Sequence, residues 1–257
     1  MTNNNDNNSR SENQINGEKK RKPRIRLIIA SLLLIISAIL FSIKPIENKI
    51  LSKNIQEYNN NRNKIMSEVA KKSKTEKNKK KKKKAEYDFD KVKELKLSTI
   101  KNSKNKVDFS YADGAISIPS INMSIPIFIG LNNYNLTYGA GTMKEDQIMG
   151  ERNYALAGHN YPKNPKILFS PLKNISDGDQ IFITDFRYIY VYNCTGLYMI
   201  DPSQTNVIED DENKKEITLI TCNNSGSKRF AVKGDFIYKV PVDQADNNIK
   251  NTFGFKF

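Results

Sequence analysis

Glu216-Ile217-Thr218-Leu219-Ile220-Thr221-Cys222 is the stretch that decides the fold class. Its β-branched content and its period of two describe a strand, with Thr218, Ile220 and Cys222 on one face and Ile217, Leu219 and Thr221 on the other. Cys222 closes the strand immediately before a polar loop, Asn223-Asn224-Ser225-Gly226-Ser227, a setting in which a thiol is both held and reachable. Arg229 then opens the next apolar run, Arg229-Phe230-Ala231-Val232. A hairpin across the loop could return Arg229 beside Cys222, although pairing with Glu216 or Asp235 would explain it as well.

Outward from this hairpin the same kind of run recurs. From Gly114 onward, strands are expected at Ala115–Ile118, Ile125–Ile129, Tyr154–Ala157, Gln180–Thr184, Tyr188–Tyr192, Leu197–Ile200, Glu216–Thr221 and Arg229–Val240, punctuated by Pro119, Gly130, Gly158, Asp177-Gly178 and Asn223 to Gly226. Helical periodicity is scarce, with a short helix expected near Met143 to Met149 and a turn at Lys166 to Phe169. Many short strands at this spacing argue for an all-β barrel or sandwich.

The chain of 257 residues has a formal net charge of +14, which raises nucleic acid or an anionic surface as partner. Location decides. Residues 1–106 hold 28 Lys and Arg against 11 Asp and Glu, whereas residues 107–257 hold 14 against 17. The folded part is thus mildly acidic, and a basic nucleic-acid-binding domain is excluded as the reading; no nucleic-acid partner is expected.

The basic leader is itself divided. Its first 18 residues are too polar to offset their ordering entropy. Six Lys and Arg then crowd positions 19–26, ahead of Leu27 to Ile43, seventeen residues without a charge that span about 25 Å as a helix. The run exceeds a signal-peptide core and no small-x-small cleavage site follows Ser42, so it reads as an uncleaved transmembrane signal anchor in membrane lipid. The denser inner flank keeps residues 1–26 cytoplasmic and places the chain beyond Ile43 outside. Residues 44–86 contain one Pro, no Gly and, at 71–84, ten Lys in fourteen residues; they read as a charged linker, either a plain stalk or one attracted to anionic lipid or wall polymer. Tyr87 to Leu95 shows near-helical apolar spacing, a short helix docking on a domain that occupies 87–257.

Chemistry-bearing residues are few. Cys194 and Cys222 could pair in an oxidising compartment, but nothing forces it. The one His, His159, follows the apolar run Ala155-Leu156-Ala157-Gly158 and opens a polar loop, as Cys222 does. A lone loop His is ordinarily a surface residue, and spacing does not show that it meets Cys222.

Ala157-Gly158-His159-Asn160, Leu168-Phe169-Ser170-Pro171-Leu172, Thr218-Leu219-Ile220-Thr221-Cys222 and Lys228-Arg229-Phe230-Ala231-Val232-Lys233-Gly234-Asp235, with Tyr138-Gly139-Ala140-Gly141-Thr142-Met143 ahead of them, resemble the ordered blocks of class A sortases over roughly residues 87–240. The resemblance implies an eight-stranded sortase-type β-barrel and a cysteine transpeptidase. Cys222 would attack the carbonyl between Thr and Gly of an LPXTG-type sorting signal in a secreted protein. A peptidoglycan-precursor amine would resolve the acyl-enzyme, anchoring the protein to the cell wall. His159 would act as general acid and base, and Arg229 would stabilise the oxyanion or hold substrate, helped by the backbone around Thr221.

The physics of these roles stands separately. A thioester stores acyl energy for an amine to collect, dividing one hard exchange into two easier ones. Free Cys and His ionise near about 8.5 and about 6.5, so a thiolate–imidazolium pair is a minority species at neutral pH and turnover is slow. Arg never titrates and its fork fixes geometry.

By resemblance, Ala157 and Ile220 line the groove and Leu197 to Val207 forms a gripping loop and short helix, though core packing explains Ala157 and Ile220 equally well. Some class A members bind calcium; the corresponding positions here are Lys144, Gln147 and Glu151, two of them without a carboxylate. Calcium-independent activity with no cofactor is therefore expected, and Glu209 to Glu212 reads as a solvated loop. Two alternatives remain open. One is a pilus-polymerising sortase, which the polar stretch Val240 to Phe257, lacking a second apolar segment, disfavours. The other is a non-catalytic, membrane-tethered barrel that binds wall polymer.

Overall fold

A computed structural model describes residues 25–42, 45–46, 49–50, 52–53, 56 and 84–254, apart from 96 and 163. The polar tail, the basic flank at 19–24 and most of the Lys block lie outside the described residues. The chain divides into two units, Met1–Pro45 and Ile46–Phe257.

In the first unit, Ile25–Ser42 is one helix of 18 residues, long and apolar enough to cross a membrane. Its apolar side chains are exposed, Leu34 and Phe41 at 71% and 85%. Ser31 and Ser42 direct their hydroxyls to the carbonyls of Ile28 and Ala38, each over 2.8 Å, so the polar atoms in this apolar stretch are satisfied inside the helix.

In the second unit eight strands close into a barrel: β1 (Ala112–Ile118), β2 (Met123–Phe128), β3 (Ala140–Thr142), β4 (Asn153–Ala157), β5 (Gln180–Thr184), β6 (Tyr188–Ile200), β7 (Glu216–Cys222) and β8 (Arg229–Pro241). They are ordered β1-β2-β3-β4-β7-β8-β6-β5 around the wall. Closure leaves no open edge. Neighbours are antiparallel except β2–β3 and β4–β7, which run parallel.

Alternation divides each strand between two cores. Ile217 and Leu219 of β7, Tyr154 and Leu156 of β4 and Val232 of β8 join Ile116, Ile127, Phe169 and Tyr192 in the central core. Ala155 and Ala157, Ile220 and Ala231, one residue out of phase, belong to a smaller cluster on the other face. The C-terminal helix Asn247–Thr252 is capped by Asp246 and followed by the fully buried Phe253. Ser117 and Ser124 hydrogen-bond the carbonyls of Thr252 and Phe253, seating this end on the barrel.

The strand number agrees with the sequence reading through two compensating differences. Tyr188–Tyr192 and Leu197–Ile200 are one strand, because Asn193 to Gly196 forms a bulge against β8 rather than a turn. β3, three residues containing a Gly, carries no alternation to read and exists through its pairing with β2 and β4. The helix expected near Met143 to Met149 is absent: the buried Gln147 accepts from the Lys144 amide and donates to the Ala155 carbonyl, folding the segment as a bend against β4. The turn at Lys166 to Phe169 is present and leads into a 3-10 helix, Ser170–Asn174. Phe89–Lys91 forms a single 3-10 turn, and the helix Leu97–Lys106, too polar to carry an apolar stripe, was not expected. Ile50, in the stretch read as linker, packs with Leu95 against Tyr161, Ile167 and Leu168, and Asn164 donates to the Ser52 hydroxyl over 3.1 Å.

Candidate active site

Three adjacent strands bring the chemistry together. The parallel register sets Ala157 of β4 against Ile220 of β7, and the Gly158 amide donates to the Ile220 carbonyl over 3.1 Å, carrying the alignment past the strand end. His159 therefore falls alongside Cys222. On the other side Cys222 pairs with Arg229, the first residue of β8. His159, Cys222 and Arg229 share the parity of Ala157, Ile220 and Ala231, so all three belong to the outer face rather than the central core.

Each is held by its own loop. Gly158 is required by contact: a Cβ there would lie 2.8 Å from the Phe169 ring. Phe169 in turn donates its amide to the His159 carbonyl over 3.1 Å, and the Tyr161 amide donates to the Ser170 hydroxyl over 2.7 Å, folding the loop back on itself. Asn160 Nδ2 donates to the Cys222 carbonyl over 2.9 Å and to Asn224 Oδ1 over 3.2 Å, tying the His loop to the Cys loop. The hairpin is closed by Asn223, whose amide donates to the Lys228 carbonyl and whose side chain accepts from the Lys228 amide.

Among the described residues, neither Cys222 Sγ nor the His159 imidazole makes a side-chain hydrogen bond; both residues are half-buried. Desolvation pulls the His159 pKa down to about 4, so the ring is neutral at pH 7 and available to accept a proton. Cys222 and Cys194 are both free thiols, and Cys194 is buried, its pKa raised by desolvation. Arg229 Nη1 donates to the carbonyls of Gly226 and Lys228, its guanidinium lies 5.6 Å from the Phe89 ring centroid, and its buried Nε has no partner among the described residues.

Beside Arg229 a groove of about 230 Å³ opens. Ile220 and Met143 are at its base, Ile200 to Ile208 form one wall, and Tyr87, Asp88 and Phe89 form another. Of the residues expected to meet substrate, Ala157, Ile220 and Thr221, Ile220 lines it. Ala157 lies in the cluster beneath, and Thr221 points to the opposite face, its hydroxyl on the Gly158 carbonyl over 2.7 Å. In the segment expected to grip substrate, Leu197–Ile200 is strand and Thr205–Ile208 is a 3-10 helix facing the groove. No role was foreseen for Phe89, Asn160 or Met143, since their partners Arg229, Cys222 and Ile220 lie 60 or more residues along the chain.

No group of three or more His, Cys, Asp or Glu that could hold a metal ion exists among the described residues. The Lys144 ammonium is paired with Asp210, and Gln147 is engaged with backbone, so this region does not fit calcium.

The Sortase domain family model matches residues 116–237. Sortase A of Streptococcus agalactiae is 34% identical over 239 residues, covering 91% of this chain and 93% of the relative. Sortase A of Bacillus anthracis is 40% identical over 152 residues, covering 58% and 70%. The crystal structure of Listeria monocytogenes sortase A superposes with a TM-score of 0.52 at 34% identity, covering 56% of this chain and 97% of that one.

Proposed function

The chain belongs to the sortase family, a family of cysteine transpeptidases, and on that premise we propose that it cleaves an LPXTG-type signal between Thr and Gly and passes the acyl group to a peptidoglycan-precursor amine. One observation carries this reading: the parallel β4–β7 register that sets His159 beside Cys222, with Arg229 paired to Cys222 from β8.

Neutral His159 takes the thiol proton as Cys222 attacks the Thr carbonyl. The imidazolium then protonates the departing Gly amine, leaving a thioester on Cys222. The incoming amine attacks the thioester, gives its proton to neutral His159, and the imidazolium returns it to the departing thiolate. Charge develops on the carbonyl oxygen in both steps, and Arg229 supplies the donor for it. A pKa of about 4 makes the imidazole a weak base for the thiol proton, which fits slow turnover. The apolar base at Ile220 and Met143 suits the Leu-Pro portion of the signal.

The helix Ile25–Ser42 supports membrane anchoring. With the basic flank inside, residues 1–26 are cytoplasmic, 44–86 a linker and 87–257 the extracellular catalytic domain that meets secreted, LPXTG-bearing proteins.

Mass spectrometry of the full chain in detergent with an LPXTG peptide and an amine tests this. A thioester adduct on Cys222 lacking the Gly-side fragment is expected, together with the amide product, and neither in Cys222→Ala. Persistent cleavage by Cys222→Ala would sink the reading.

A further inference from the structure

The outer face that carries Cys222 and Arg229 continues well beyond the groove. The β7–β8 register sets Cys222 against Arg229, Ile220 against Ala231, Thr218 against Lys233 and Glu216 against Asp235. These four rows lead in a line away from the nucleophile, and at about 3.3 Å per residue the last lies about 20 Å from Cys222. Ile200 and Val207 wall the groove, and they also wall a second cavity of about 430 Å³ whose lining includes Lys233, Glu216 and Asp235 from the last two rows. The Val207 carbonyl accepts from Asn153 Nδ2 over 3.1 Å and from Lys233 Nζ over 2.8 Å, so the β6–β7 connection crosses the face there as a partition between the two cavities. No step of the acyl transfer uses the second one.

The charges of this cavity are unevenly matched. Glu216 and Asp235 are direct cross-strand partners on one face, a like-charge placement that is destabilising unless a cation relieves it. Lys233 relieves Glu216 over 2.8 Å, and the exposed Lys214 is paired with Asp211 at 3.8 Å. Asp235, also exposed, has no ion pair among the described residues. Tyr198 lines the same cavity and is 51% exposed although it lies within β6. Its partner on β8 is Ala231, too small to cover it, and the side chain rests over Gly196, where a Cβ would lie 2.6 Å from the Tyr198 hydroxyl oxygen. An open aromatic face and an unmatched carboxylate in one cavity suit a cation on an apolar stem, which the ring attracts and the carboxylate neutralises.

We propose that this cavity is an upstream subsite, in which Tyr198 and Asp235 take a Lys or Arg side chain of the anchored protein three residues ahead of the Leu of its sorting signal. Distance sets the position. With Thr at Cys222 and Leu-Pro over Ile220, an extended signal runs along β7 towards Glu216. From Thr back to the third residue ahead of Leu is six steps, the same number as from Cys222 to Glu216. The side chain reaches the cavity after its backbone has passed the partition at Val207. The subsite touches no reacting atom, so its contribution falls on KM rather than on the chemical step. This rests on the LPXTG-transpeptidase reading above, and the test separates the two.

The full chain in detergent is given LPXTG peptides that differ only in carrying Lys or Glu three residues ahead of Leu, and kcat and KM are measured for both. In the parent, kcat/KM for the Lys peptide is expected to exceed that for the Glu peptide about 10-fold, with the difference in KM. Asp235→Asn is expected to shrink that ratio to about 2-fold, and Asp235→Lys to invert it. Tyr198→Ala is expected to reduce it to about 3-fold, with Tyr198→Phe restoring it, because the ring and not the hydroxyl meets the cation. The ratio is taken within each variant, so any loss of folded protein cancels. Equal kcat/KM for the two peptides in the parent overturns the proposal while leaving the LPXTG reading intact. So does a ratio in Asp235→Lys equal to the parent's, or a preference that lies in kcat alone. A parent chain that turns over neither peptide overturns the LPXTG reading and the subsite with it.

Discussion

The guanidinium of Arg229 lies 5.6 Å from the centre of the Phe89 ring, so the wall of the groove that precedes the barrel in sequence is built onto one of the three candidate catalytic residues. Phe89 comes from a single 3-10 turn, and the segment carrying it is secured by the Leu131 amide on the Glu86 carbonyl at 2.7 Å and by reciprocal bonds between Asn133 and the backbone of Lys91 and Lys93. A cation–π contact of this exposure is worth about 0.5–1 kcal/mol. Phe89→Ala is therefore expected to lower kcat/KM about 2- to 5-fold, measured with an LPXTG peptide, without abolishing the acyl-enzyme. An unchanged kcat/KM would show that Arg229 does not depend on Phe89.

Asn160 joins the His159 and Cys222 loops through the Cys222 carbonyl and Asn224. Removing that donor leaves two hydrogen bonds unmade, the one to the Cys222 carbonyl worth about 1 kcal/mol, and lets the His and Cys loops move independently. Asn160→Ala should reduce kcat about 5- to 10-fold with little change in KM. A KM effect at constant kcat would place Asn160 in substrate binding instead.

The desolvated His159 imidazole makes stability depend on pH. His159 titrates near 6.5 when unfolded and near about 4 when folded, so between those values the unfolded chain binds the extra proton. Stability is undiminished above pH 6.5 and falls as the pH drops from 6.5 towards 4, by on the order of 2–3 kcal/mol for the ring. Urea unfolding at pH 7.5 and at pH 4.5 should show this loss in the parent and a smaller one in His159→Asn. Equal losses in both would assign acid sensitivity to other groups.

Addition of millimolar calcium is expected to leave the transpeptidation rate unchanged. At the carboxylate where a cation would be drawn, Asp210, the Lys144 ammonium and the Arg152 guanidinium are already in place. A several-fold rise in rate with calcium, reversed by chelator, would contradict this.

What could be read from local sequence depends on the range over which its signals act. The period of two in Glu216–Cys222 and Arg229–Pro241 marks strands because side-chain alternation is a property of neighbouring residues. β3 escaped because its three residues have no such pattern, and the Met143–Met149 bend escaped because a side chain 8 residues from Ala155, Gln147, claims that carbonyl. At the site, Cys222 and His159 stood out as strand-end residues of reactive type. Phe89, Asn160 and the Lys144–Asp210 pair did not, since each matters only through partners far along the chain.

The sequence by itself determined the all-β class, the apolar helix ahead of the barrel in the chain, the division of charge between leader and domain, and Cys222 and His159 as candidates for acyl transfer. Those depend on composition, hydropathy and short-range alternation. Only the tertiary structure decided that His159 and Cys222 are neighbours, because a parallel pair of strands 63 residues apart sets Ala157 against Ile220, and no local signal records such a register. It also decided how the groove is walled and braced. A hydrogen bond or ion pair across that distance exists only once barrel closure has brought both ends to the same face.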